Sequence, residues 1–289
     1  MTLPKFELHR PESLDEALDI LASSPGAVPI AGGTALIVDM RGRRLSPPVL
    51  VDIGLIDRLS GVRIEGGEVV IGAATTIAEI KESDLIAQHS PLLSEACGLF
   101  ASPSVRNRAT IGGNIAYASP AADTAPPLLA LDASVELASA SGRRTVPIDR
   151  FFLGVRRTER RDDELITAIR FPIPAEGTEG RFRKLGLRRA DAISVVSAAV
   201  SIGPPADGGR RVRIALGAVA PTPIRARRAE EALSAGPIDE GAILAAAEAA
   251  ASEASPVSDL RGSDWYRREA IRALVRRLLR PVVEGRSDG

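Results

Sequence analysis

From residue 27 to residue 36 the chain reads Ala27-Val28-Pro29-Ile30-Ala31-Gly32-Gly33-Thr34-Ala35-Leu36, and the reading of the fold turns on this stretch. A short extended run ends in a glycine pair, after which Leu36, Ile37 and Met40 have the spacing of a brief helix. Strand, glycine turn and helix start follow one another within a dozen or so residues. A second pair lies downstream in Thr110-Ile111-Gly112-Gly113-Asn114. Paired glycines allow positive φ at little cost and remove the Cβ atoms that keep a bulky anion from main-chain N–H groups. Thr34, Thr110 and Asn114 add hydroxyl and amide donors. One pair alone is also explained as a simple turn, as Gly66-Gly67 and Gly208-Gly209 are. Two pairs in the amino-terminal part of one chain suit a shared diphosphate.

Working outward, Ser13-Leu14-Asp15-Glu16 reads as a capping box, and Leu14, Ala17, Leu18 and Leu21 continue it as a helix until Pro25-Gly26. Val49–Ile53 reads as a strand, and 62–65 with 69–71 form a hairpin around Gly66-Gly67. Thr76 and Glu79 make a second capping box, and a further helix runs from Ser90-Pro91 to Phe100. The segment Ala101–Pro127, dense in Ser, Pro, Gly, Asn and Ala, reads as a long ordered loop of the kind that serves a ligand. Strands return at 134–138, 144–147 and 165–171. A Pro-, Gly- and Glu-rich stretch at 172–180 reads as an interdomain linker. Beyond it come three strands, 182–187, 193–202 and 212–219, with a turn at 203–209, and then helical patterns at 227–233, 243–253 and 265–279. The partition expected is 1–175 (subdomains about 1–55 and 56–175), 180–282, and a tail at 283–289.

With 37 basic and 37 acidic side chains, the chain has no basic excess to displace counterions, so nucleic acid is not an expected partner. One cysteine among 289 residues excludes an intrachain disulfide and an iron–sulfur cluster, and two isolated histidines add no structural zinc site. No metal ligands are expected in this chain. His9 and His89 read as surface or capping residues, and Cys97 as a small apolar packer. No catalytic residues stand out. Neither a Gly-x-Gly-x-x-Gly nor a Gly-Lys-Ser/Thr motif is present. The opening MTLPKFELHRPESL lacks signal-peptide features, and no apolar run has the length of a membrane helix. The cytoplasm is the expected compartment, with no membrane-spanning segment. Asp123, in the long loop, reads either as a partner for ribose or ribityl hydroxyls or as the cap of the helix that follows at Thr124.

The combination of 29–36, of Ala-Thr-Ile-Gly-Gly-Asn-Ile at 109–115 and of Ala-Ser-Pro-Ala-Ala-Asp at 118–123 resembles the FAD-binding medium subunit of molybdenum hydroxylases. This is the carbon monoxide dehydrogenase medium-subunit and xanthine dehydrogenase FAD-domain family. The likeness extends to Phe-Glu-Leu-His-Arg-Pro at 6–11, Asp-Glu-Leu-Ile-Thr-Ala-Ile at 163–169, and Trp-Tyr-Arg at 265–267. It implies an α+β architecture: a two-subdomain FAD domain of the vanillyl-alcohol-oxidase type, then a carboxy-terminal domain with a three-stranded sheet and helices.

By the same resemblance, Pro29, Ile30, Ala31, Gly32, Gly33, Thr34, Ala35 and Leu36 wrap the FAD together with Thr110, Ile111, Gly112, Gly113 and Asn114. Asp123 matches a flavin-contacting aspartate, Phe100 an aromatic packed on the cofactor, Ile166 an apolar contact, and Lys184 a lysine near the flavin ring. From sequence alone Phe100 suits a core position equally, and Lys184 a surface salt bridge. Ala35 stands where relatives often carry a polar side chain. Ile193, after Arg189-Ala190, stands where the carbon monoxide enzymes carry a tyrosine.

The resemblance further implies noncovalent FAD in an electron-transfer subunit. Its partners would be a molybdopterin-binding large subunit and a small subunit with two [2Fe–2S] clusters, assembled as a dimer of heterotrimers. Substrate and terminal acceptor, whether NAD, quinone or oxygen, lie outside what this chain encodes. A stand-alone flavoenzyme of the same fold and a non-catalytic nucleotide-binding scaffold are the alternatives.

Overall fold

A computed structural model describes residues 2–188, 191–206, 209–234 and 236–284. Arg189-Ala190, part of the turn at 203–209 including Gly208, and most of the tail at 283–289 lie outside them.

The chain begins as β1 (Glu7–His9), α1 (Leu14–Ser23), β2 (Val28–Ile30), α2 (Leu36–Arg41) and β3 (Val49–Asp52). The three strands form one parallel sheet in the order β1-β3-β2. The Ser13 side chain caps α1 by accepting from the Glu16 amide, and Leu14, Ala17, Leu18 and Leu21 bury one face, as their spacing predicts. β1 has two exposed residues in three and no alternation that would mark it. It forms because β3 offers an edge to pair with. Ligands of parallel α/β sheets bind beyond the carboxyl ends of the strands, and here the carboxyl end of β2 leads directly into Gly32-Gly33.

A second, antiparallel sheet has the order β4-β5-β10-β6-β7. Its first hairpin is β4 (Val62–Glu65) and β5 (Glu68–Gly72), with Gly66 and Gly67 both at positive φ in the turn. Then come α3 (Ile77–Glu82), α4 (Asp84–His89), α5 (Pro91–Leu99), α6 (Pro103–Arg106), α7 (Ile111–Tyr117) and α8 (Ala125–Ala130). Both bonds of the Thr76–Glu79 capping box are made at the start of α3. The chain returns through β6 (Ser134–Ser139), β7 (Gly142–Pro147), α9 (Ile148–Phe151), the small hairpin β8 (Phe152–Gly154) and β9 (Arg157–Thr158), and β10 (Leu165–Pro172).

The segment 101–127 is therefore not a continuous loop but is broken by three short helices. Proline begins α6 and lies in the first turn of α8, while the Thr110 side chain caps α7. Helices of four to seven residues leave too little length for a helical period, and α8 has a further reason to show none. All six residues of α8 are buried, and a helix buried on every side has no polar face to produce one.

The connection at 173–178 is shorter than the stretch of composition that marks it. Pro172 already ends β10, and Glu179 already begins the next strand. The carboxy-terminal sheet holds β11 (Glu179–Gly186), β12 (Ser194–Ala206), β13 (Gly209–Gly217) and β14 (Ile224–Arg225). Three long antiparallel strands are as expected, and the two-residue β14 adds a fourth at the edge. The helices α10 (Arg227–Ser234), α11 (Glu240–Glu253) and α12 (Asp264–Glu284) follow.

Alternation along the strands splits this sheet between two cores. Val196, Ala198, Val200 and Ile202 pack with α10–α12, whereas Phe182, Ala199 and Ala215 join the core of the second sheet with Leu92 and Leu128. Polar contacts reinforce that junction. Glu95 accepts from the Phe182 amide at 2.7 Å, and Asp132 receives Arg211, Arg213 and Arg225.

Burial works to raise the pKa of Asp132, but the hydrogen bonds and charges of these arginines hold it below the ordinary carboxylate value. Its contribution to stability is therefore complete above the unfolded value of 3.8 and is lost as pH falls through the lower folded value. In urea titrations, the destabilisation caused by Asp132→Asn is expected to be largest at neutral pH and to shrink at pH values below 3.8. Phe182 is fully buried at the junction, and Phe182→Ala should cost about 3–5 kcal/mol of unfolding free energy in the same titration.

Candidate functional site

Gly32 lies against the chain that leads into α7. A Cβ at this position would overlap the Arg108 carbonyl oxygen and come within 3.1 Å of the Ala109 nitrogen, so only glycine admits this approach. The two glycine turns are thus brought together, as the sequence suggested, but they are built differently. Gly33 is left-handed, with φ of 69°, while Gly112 and Gly113 are helical. The main-chain N–H groups of Gly32, Gly33, Thr34 and Ala35 donate to no main-chain acceptor among the described residues. A row of such donors at the start of α2, with Thr34 exposed, has the chemistry that an anion requires.

The first turn of α7, by contrast, is already satisfied. Ile111 N donates to Thr75 O, Gly112 N to Ala73 O, Gly113 N to Thr110 Oγ1 and Asn114 N to Thr110 O. The second glycine pair therefore contributes no free amides. Gly112 allows close packing, since its Cβ would lie 2.6 Å from the Ala73 Cβ. Gly113 is exposed and leaves bare surface. Asn114 Oδ1 accepts from Thr124 Oγ1 at 2.6 Å, which leaves the Asn114 Nδ2 group as a donor.

Asp123 follows from the same loop. Its carboxylate does not cap α8, for which no side-chain cap bond is formed. Instead Oδ2 accepts from Lys184 Nζ at 2.6 Å and Oδ1 from Ser194 Oγ at 2.6 Å. Lys184 is not a surface salt bridge: both partners are 8% exposed. It lies on the face of β11 turned toward the second sheet, like Phe182, and its ammonium also donates to Ala192 O at 3.0 Å. Burial pushes the Asp123 carboxyl above its ordinary value, against the opposing charge of Lys184 and the hydrogen bonds from Lys184 and Ser194. Nothing in the sequence near Asp123 points to Ser194, because the two meet only when β12 docks on the loop.

Phe100 ends α5 and is half-buried against the core, its carbonyl accepting from Arg106 Nη1 at 2.7 Å. Ile166 is buried on β10, next to Thr167, whose carbonyl accepts from the Ala73 amide. Ile193 is 59% exposed beside Ser194. Cys97 is buried, and burial with the nearby Asp123 charge pushes its thiol up to about 12, so no thiolate is available. His9 sits on β1 against Glu7, and His89 ends α4 away from the glycine turns, in the lining of a cleft of about 500 Å³ beneath the 173–178 connection. No group of three or more potential metal ligands occurs among the described residues. None of their helices is long and apolar enough to cross a membrane.

Comparison with known proteins gives consistent matches. Residues 4–174 match the FAD binding domain in molybdopterin dehydrogenase, and residues 181–282 match the CO dehydrogenase flavoprotein C-terminal domain. The carbon monoxide dehydrogenase medium chain of Hydrogenophaga pseudoflava is 38% identical over 280 residues, covering 96% of this chain and 97% of that one. The xanthine dehydrogenase FAD-binding subunit of Escherichia coli O157:H7 is 32% identical, covering 95% of each chain. In structure, the H. pseudoflava carbon monoxide dehydrogenase lacking the Mo-pyranopterin moiety superposes with a TM-score of 0.93 at 39% identity, covering 97% of this chain and 98% of that one. Quinoline 2-oxidoreductase from Pseudomonas putida 86 gives a TM-score of 0.91 at 31% identity, covering 99% of each.

The Asp123–Lys184 pair makes its own prediction. Lys184→Met would leave a buried carboxylate without its cation, so unfolding free energy from urea titration is expected to fall by about 3–5 kcal/mol.

Proposed function

The chain belongs to the FAD-subunit family of the molybdenum hydroxylases, oxidoreductases whose molybdenum and iron–sulfur centres reside in other chains, and on that premise we propose that it carries electrons from a partner's iron–sulfur clusters to an external acceptor. The observation that supports this most directly is the row of unpartnered amides at 32–35, set against the Arg108–Ala109 backbone at a place where no side chain fits. A diphosphate needs donors and offers none, which is what this surface supplies. The residues suit noncovalent FAD.

In this reading Pro29, Ile30 and Ala31 end β2 and aim the turn. The amides of Gly32, Gly33, Thr34 and Ala35 hold the diphosphate, with the Thr34 hydroxyl adding a donor, and Leu36 begins the helix behind it. Thr110, Ile111 and Gly112 anchor α7 beneath the turn, while Gly113 admits the ligand and the Asn114 Nδ2 group donates to it. Lys184 places positive charge at the flavin end, held there by Asp123. Phe100 and Ile166 supply apolar surface. When bound, FAD supplies the redox chemistry, and the protein sets its position and potential. Among the described residues around the glycine turns and the Asp123–Lys184 pair, no base is paired with a nucleophile. That favours an electron-transfer subunit over a stand-alone oxidoreductase, and the amide row favours either over a scaffold without cofactor.

The proposed partners are a molybdopterin-binding large subunit and a [2Fe–2S] small subunit, in a dimer of heterotrimers in the cytoplasm. The proposed partition is a cofactor domain at 1–175, with subdomains about 1–55 and 56–175, a second domain at 180–282 and the tail beyond. Co-purification with chains that contain iron and molybdenum tests the assignment. A chain isolated alone, with FAD and its own turnover, would select the stand-alone reading instead.

Gly113→Val tests the cradle. At this exposed helical position the added Cβ lies 2.9 Å from Thr110 Oγ1, the acceptor that caps α7, and weakening that cap is expected to cost folding only about 1 kcal/mol. Flavin stoichiometry, read from visible absorbance, should fall to a small fraction of the wild-type value. Full stoichiometry would remove Gly113 from the site.

A further inference from the structure

Resting on the reading that the glycine turns hold the FAD diphosphate, we infer that Arg156, on the turn between β8 and β9, is a positioning residue that fixes the geometry of that cradle. The two halves of the cradle run into α2 and α7. At their starts they are joined by the contact of Gly32 with the Arg108–Ala109 backbone. Farther along, they are joined by Arg156.

Asp39 is buried on α2, 5% exposed, and both of its oxygens are engaged. Oδ1 accepts from Arg44 Nε at 2.8 Å and Nη2 at 2.7 Å, and Oδ2 accepts from Arg156 Nη1 at 2.9 Å. The other arm of the same guanidinium donates to the Tyr117 hydroxyl at the end of α7, and its central carbon lies 4.5 Å from the centre of the Tyr117 ring. The Arg156 amide donates to the Ala118 carbonyl at 3.0 Å. One residue therefore grips α2 through a carboxylate, and the end of α7 through a hydroxyl, an aromatic face and a carbonyl.

The packing shows why such a grip is needed. α2 is six residues long and buries only Asp39 and Met40, while Val38 is 54% exposed. A helix without a broad apolar face is not oriented by hydrophobic packing. Its direction rests on Met40 and on the ion pairs of Asp39, and its first residues follow directly on the unpartnered amides. Burial alone would raise the Asp39 pKa, yet the hydrogen bond from Arg44 and the charge of Arg156 hold it below the ordinary value, so the grip persists through the neutral range. Without Arg156, α2 keeps its attachment at Gly32 but loses its second fixed point, and the amide row turns away from Gly113 and Asn114. Lysine cannot replace the fork: a single ammonium does not present two separate arms with a planar stacking surface.

The test is equilibrium binding of FAD to the flavin-free full-length chain, followed by flavin fluorescence, beside the thermal unfolding of each flavin-free protein. Arg156→Gln and Asp39→Asn are each expected to weaken FAD binding by about tenfold or more, the scale of one lost charge-assisted hydrogen bond. Arg156→Lys should recover part of that loss. Leu153→Ser, on the same hairpin at a position 53% exposed, should bind FAD as the wild type does. The inference is overturned if Arg156→Gln and Asp39→Asn both stay within about twofold of wild type. It is also overturned if their weakened binding disappears once corrected for the fraction of flavin-free protein that is folded, since that is the mark of a purely structural role. A wild-type chain that binds no FAD would instead overturn the cofactor reading beneath it.

Discussion

The approach of Gly32 to the Arg108 carbonyl is the constraint on which the site depends. A main chain can come this close to another only where there is no Cβ, and the contact sets the end of a parallel β2 against the entry to α7. From it follows the division of labour between the two turns. The first leaves its amides without partners because the chain turns left-handed at Gly33 before α2 begins. The second spends its amides on Thr75, Ala73 and Thr110, and so offers no free donors. A free row of donors is useful only if it is held still, and the bonds that fix α7 hold one side of the contact at Gly32.

A second layer of organisation comes from the carboxy-terminal sheet, whose strands present alternate side chains to two cores. That arrangement carries Lys184 across to Asp123 and seals the pair from solvent. Placing two charges in so dry a setting is costly, and the cost is offset by short hydrogen bonds from Lys184 and Ser194. The pair binds the loop after α7 to β11 and β12, and so belongs to the junction between the halves of the molecule. The charged cluster around Asp132 fixes a different part of the same junction.

Much of this was legible in the chain. The capping box at Thr76 is local chemistry between residues three apart and forms in full, whereas at Ser13 only the side-chain cap on the Glu16 amide forms, the Glu16 carboxylate accepting instead from the Glu12 amide. The period of α1 and the glycine hairpin of β4 and β5 are local in the same sense. Less legible were α6, α7 and α8: all three are too short to show a period, and α8, buried throughout, has no amphipathic stripe. β1 and β14 were hidden for another reason: strands of two or three residues are made by the edge they pair with, not by their own composition. The positive-φ role suited to both glycine pairs applies to Gly33 and not to Gly112 or Gly113.

The sequence by itself determined the residue types that can do this chemistry: small residues where an anion must approach, hydroxyl and amide donors beside them, a carboxylate, and a lysine beyond the linker. Those are properties of side chains or of their absence, and they persist in any conformation. Only the tertiary structure decided which of those groups remain free. The amides of 32–35 and of 111–114 are identical in covalent structure, and Asp123 is by composition a carboxylate like any other. Whether each faces an open surface or an internal partner depends on neighbours from distant parts of the chain, such as Ala73, Arg108, Lys184 and Ser194. Hydrogen-bonding capacity is a local property, but its satisfaction depends on the packing of the whole molecule.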